Sequence, residues 1–76
     1  MLLYMTNPSE ELSYGTVKAY YAFKGYGFIT REKGKDIFFL FRDVREESDI
    51  IEGAKVAFRV VEGEKGPRAE AIRRVG

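Results

Sequence analysis

The sequence contains no cysteine, no histidine and no tryptophan, and only two prolines. Without cysteine there is no disulfide, no thiolate nucleophile and no cysteine-ligated metal. Without histidine every imidazole-based acid–base pair, triad and metal site is excluded too. Carboxylates and hydroxyls remain, with no paired constellation that would assign a reaction class, so the chain is expected to be no enzyme and to carry neither metal nor cofactor. Long apolar runs are equally scarce. Met1 to Met5 has no basic residue ahead of it and is too short for the core of a signal peptide. Nothing approaches the ~20 apolar residues of a membrane span. A cytoplasmic protein with no membrane partner is therefore expected, and the lack of cysteine agrees with a reducing compartment.

The chain has 76 residues, enough for one domain at the size where a single hydrophobic core becomes marginal. Its net charge of +1 conceals a segregation. Residues 1–13 carry −2, residues 14–42 carry +4, residues 43–53 carry −4 and residues 54–76 carry +3. Eight of the eleven aromatic rings, Tyr20, Tyr21, Phe23, Tyr26, Phe28, Phe38, Phe39 and Phe41, fall within the basic stretch. Rings interleaved with lysine and arginine suit a single-stranded nucleic acid, whose bases stack while its phosphates meet cations. On composition alone the same rings also suit a hydrophobic core.

Asn7-Pro8-Ser9 reads as a loop, with Ser9 a cap for a short helical turn over Glu10 to Ser13, so residues 1–13 are taken as an N-terminal extension and 14–76 as the folded domain. From Tyr14 onward the text is strand-like. Strands are expected at Tyr14 to Tyr21, Tyr26 to Arg31, Asp36 to Phe41, Lys55 to Val61 and Arg68 to Val75, rich in β-branched and aromatic residues. Glu32-Lys33-Gly34-Lys35, Gly53 and Glu62 to Pro67 supply the turns. Five short strands in a chain this small point to an all-β, closed or nearly closed antiparallel barrel of OB type, which removes the exposed sheet edges.

Alternation puts Tyr26 and Phe28 on one face, with Lys24, and Gly25, Gly27 and Ile29 on the other. Asp36 to Phe41 is apolar on both faces after its first residue. A small barrel has one interior and no second layer, so an aromatic face must meet solvent. Tyr26, Phe28, Phe38 and Leu40 are the expected outward set. Val17, Ile29, Ile37, Phe39, Val56, Phe58, Val60 and Ile72 are the expected core. Exposed rings at this density mark an interface.

Lys24-Gly25-Tyr26-Gly27-Phe28-Ile29 and Asp36-Ile37-Phe38-Phe39-Leu40-Phe41 resemble the two ribonucleoprotein-type motifs of the bacterial cold-shock domain, usually Lys-Gly-(Phe/Tyr)-Gly-Phe-Ile and Asp-(Val/Ile)-Phe-Val-His-Phe. Gly15-Thr16-Val17-Lys18 is similar to the family's opening strand, and Val61 to Ala69 to its last hairpin. The similarity runs from about Tyr14 to Val75. It implies a five-stranded OB-fold Greek-key barrel that binds single-stranded RNA and DNA and acts as an RNA chaperone or a regulator of transcription or translation. On this reading Tyr20, Tyr26, Phe28 and Phe38 stack bases, Lys18 and Lys24 meet phosphate, Asp36 and Phe41 edge the site, and Leu40 offers apolar contact.

Three positions depart from the family pattern. Ala19 stands where the family has tryptophan, Leu40 where it has histidine, and the acidic stretch from Arg42 to Glu52 is short and lacks an aromatic. Tyr21 or Phe23 is expected to rebuild part of the lost platform; the competing reading packs both on the N-terminal extension or on a second copy. The partner is thus expected to be single-stranded RNA or DNA bound by a monomer. The alternative is a protein-interaction or dimerising barrel with an eroded nucleic-acid platform.

Overall fold

The structure, a computed structural model, describes residues 12–76. Five strands, β1 (Ser13–Tyr21), β2 (Tyr26–Arg31), β3 (Ile37–Leu40), β4 (Lys55–Gly63) and β5 (Gly66–Arg74), close into one barrel in the order β1-β2-β3-β5-β4. The all-β, five-stranded closed barrel is the architecture expected from the strand and turn pattern. Four of its pairings are antiparallel; the seam between β3 and β5 is parallel and short, registering Phe38 with Arg68 and Phe39 with Ala69. That seam carries the β4–β5 hairpin to the side of β3.

Several boundaries differ from expectation. β3 ends at Leu40 because Phe41–Asp43 turns away as a 3-10 helical turn, and Asp36 lies before it. The last hairpin is longer than its composition suggested, with Gly66, at φ +113, holding a tight reversal so that Glu62 and Gly63 belong to β4 and Gly66 and Pro67 to β5. Lys24 is not an extension of β2: Ala22 to Gly25 is a turn, which breaks the alternation that placed Lys24 beside Tyr26. The helical turn expected before the domain falls largely outside the described residues, and its last residue, Ser13, opens β1.

The interior is built by every second residue. Val17, Ile29, Ile37, Phe39, Val56, Phe58 and Ile72 are fully buried, joined by Ile50, Ala54 and Ala69, with Val60, Val44 and Tyr20 packed against them. Gly27 makes room for this core: a Cβ there would collide with the Ala19 carbonyl oxygen and stand 2.6 Å from the Phe39 ring. Phe39 therefore fills the space that glycine leaves, a large-against-small packing that fixes the β2–β3 register.

Candidate nucleic-acid interface

Opposite the Gly27 face, β2 and β3 present Tyr26, Phe28, Phe38 and Leu40, all half-buried, and register places Tyr26 against Leu40 and Phe28 against Phe38. Their rings form one cluster. Phe28 meets Phe38 edge-on at 5.9 Å, Tyr26 lies 5.6 Å from Phe38, and Tyr26 meets Phe28 edge-on at 6.1 Å. Tyr21 extends the cluster along β1, its ring 5.4 Å from Tyr26 and its side chain exposed. These are the separations of mutually supporting aromatic pairs, so the rings hold one another in place.

Tyr20 is elsewhere. A bulge at Lys18 shifts the β1–β2 register, so that Val17 faces Ile29 but Ala19 faces Phe28, Tyr20 faces Gly27 and Tyr21 faces Tyr26. The extra residue reverses which side chains point inward beyond it. Tyr20 consequently turns toward the core, stacked on Phe39 at 6.1 Å and on Phe41 at 6.5 Å. Partial burial, then the charge and hydrogen-bonding reach of Glu47, raise its phenol above the ordinary value. Ala19, on the outward face, offers no ring there. Phe23, the other aromatic expected to rebuild the platform, stands on the β1–β2 turn with no ring among the described residues paired with it.

The cations are arranged around these rings. Lys18, the bulged residue, binds Asp36 with Nζ 2.8 Å from Oδ2 at the Phe28–Phe38 end. That hydrogen bond, and then the Asp36 charge, raise the ammonium pKa. Two residues expected to touch ligand are thus each other's partner. Lys24 is exposed on the β1–β2 turn. At the opposite side of β3 lies a cleft of about 550 Å³ between Phe38 and Leu40 and the β4–β5 hairpin, bordered by Arg42, Lys65, Pro67 and Arg68. Arg68 is pinned there, Nε 3.0 Å from Asp43 Oδ2 in a partly buried ion pair. None of these flanking residues is expected as a site residue from the sequence: Lys65, Pro67 and Arg68 come beside the rings only through the parallel β3–β5 seam, and Arg42 sits on the 3-10 turn that follows β3.

Fold and site define a small closed β-barrel with an exposed aromatic face bordered by basic side chains. Residues 13–75 match the family model described as the 'Cold-shock' DNA-binding domain. The chain is 49% identical to a cold shock-like protein of Aquifex aeolicus over 65 residues, covering 82% of this chain and 93% of that one. It is 44% identical to the major cold shock protein of Streptococcus pyogenes over 63 residues, covering 80% of this chain and 94% of the relative. Among solved structures, the Drosophila Unr CSD456 structure superposes with a TM-score of 0.74 at 28% identity, over 88% of this chain and 28% of that one. The chain belongs to the cold-shock domain family, a family of nucleic-acid-binding domains.

Proposed function

We propose that this protein binds single-stranded RNA or DNA across the face formed by Tyr21, Tyr26, Phe28 and Phe38, and thereby holds weak secondary structure open. The observation that supports this reading is the contiguous group of four rings left on the outside of the barrel while the core is filled from the other face. Each unpaired base has a π-face, so such a surface accepts many sequences, and a stacked base contributes about 1–3 kcal/mol. Lys24, Arg42 and Lys65 border the rings and supply phosphate contacts. Lys18 and Asp36 edge the face as an ion pair, Leu40 gives apolar contact, and Phe41 continues the surface toward Tyr20. Chaperone action then needs no catalytic group, because a protein that binds only the open strand shifts the equilibrium toward it by mass action.

Titration with short oligonucleotides of RNA and DNA at two salt concentrations, with duplex as control, tests the reading. Binding to single strands that weakens as salt rises, and little binding to duplex, is the expected result. Removing one ring, Phe28→Ala, is expected to cost about 1–3 kcal/mol of affinity. Absence of single-strand binding at low salt, together with a concentration-dependent dimer in sedimentation, would instead favour a self-associating barrel.

A further inference from the structure

Phe23 is the anomaly of the surface: its exposure, 107% of the reference value, means that nothing among the described residues covers the ring. It does not sit on a loose loop. The turn that carries it is closed by Lys24 N–H and Gly25 N–H, both donating to the Tyr21 carbonyl at 3.0 and 2.8 Å, and Gly25 adopts φ +76. The Gly25 carbonyl in turn accepts from Phe41 N–H at 2.8 Å, tying the turn to the residue that follows β3. An apolar ring held in water on an anchored turn adds nothing to the core. It stands two residues beyond Tyr21, the last ring of the aromatic face, with exposed Lys24 next to it.

We infer that Phe23 is a wedge for the junction between single strand and duplex. A strand seated on Tyr26 and Tyr21 that continues past the end of the face meets the β1–β2 turn next. If that continuation is base-paired, the phenyl ring of Phe23 enters the first step of the duplex while Lys24 takes the adjoining phosphate. Apolar side chains inserted between base steps unstack them, and the cost is offset by the new apolar contact and the adjacent strand contacts. The ligand is a nucleic-acid stem carrying a single-stranded tail, and the inference rests on the single-strand reading above. It assigns the opening of structure to a residue outside the stacking face: the face holds the tail and the turn works on the stem.

The test uses hairpins with a single-stranded tail on either the 5′ or the 3′ side, with 2-aminopurine in the base pair at the junction. Tail affinity is read by anisotropy and junction unstacking by 2-aminopurine fluorescence. The wild-type protein is expected to raise the fluorescence for one of the two tail polarities. Phe23→Ala is expected to lose most of that signal while its affinity for the isolated tail stays within about twofold, as for a substitution that leaves the fold and the platform untouched. Phe23→Tyr, which keeps a flat ring, should retain the signal. Equal junction opening by Phe23→Ala and wild type, or tail binding by wild type with no fluorescence change, overturns the wedge and leaves the stacking face standing. Failure of the wild type to bind the tail overturns both. Self-association that disappears in Phe23→Ala would identify the ring as a contact between copies, and also overturns the wedge.

Discussion

Ala71 occupies a backbone conformation that suits glycine or asparagine, with φ +53 in the middle of β5. The cause is a bulge: Ala57 pairs with Arg73 and Arg59 with Glu70, so Ala71 and Ile72 together oppose Phe58. Turning the chain there lets Ile72 bury fully, and the left-handed residue beside it bears the strain. An L-residue with a Cβ pays roughly 1–2 kcal/mol in that region, of which glycine recovers the steric part and returns some as unfolded-chain entropy. Ala71→Gly is therefore expected to stabilise the protein by about 0.5–1 kcal/mol in denaturant melts. The opposite logic holds at Gly27, where space, not φ, requires glycine. Its position within the Lys24 to Ile29 motif made it conspicuous in the sequence, whereas Ala71 carried no local signal; its φ follows from a register shift between two strands.

At the scale of the element, β1 decides which tyrosine serves which purpose. Alternation from Val17 would put Tyr20 with the outward rings and Tyr21 with the core. The bulge at Lys18 exchanges them. The expectation that Tyr20 stacks bases rested on its motif position; in the structure its half-buried ring packs on Phe39 and Phe41, while Tyr21, expected as a substitute, joins Tyr26. The two residues should respond differently to truncation. Tyr20→Ala is expected to lower stability, by about 2–4 kcal/mol given its packing against the core. Tyr21→Ala is expected to leave the melt within about 0.5 kcal/mol and to weaken oligonucleotide binding by about 1 kcal/mol or more. Circular dichroism melts and anisotropy titrations on the same two variants separate the roles. Equal loss of binding with no loss of stability for Tyr20→Ala would place its ring in the site.

For the molecule as a whole, the absence of histidine and cysteine leaves no side chain whose ordinary pKa lies between the carboxylates and the phenols and amines. Binding is expected to be flat between about pH 6 and 8, measured by anisotropy at constant ionic strength. Lys18 and Tyr20 both have raised pKa values, the first through the Asp36 hydrogen bond and the second through partial burial and Glu47. The folded state thus holds both protons more tightly than the unfolded chain. Their contribution to stability is complete below about pH 10 and is lost as pH rises through the folded values. The charge is segregated along the chain: the basic stretch holds the rings, while the acidic stretch brings Glu47 beside Tyr20. The sequence by itself determined the number of strands, the filled interior and the need for an outward aromatic face, because these follow from local propensity and from side chains alternating about a core of limited size. Only the tertiary structure decided which rings share that face, that Lys18 and Asp36 are partners, and that Lys65 and Arg68 lie beside it. Those outcomes depend on a one-residue register shift in β1 and on a parallel seam between strands distant in sequence, and neither has a local signature. The missing histidine and tryptophan likewise acquire their meaning in three dimensions: Leu40 and Ala19 lie on the aromatic face, opposite Tyr26 and Phe28.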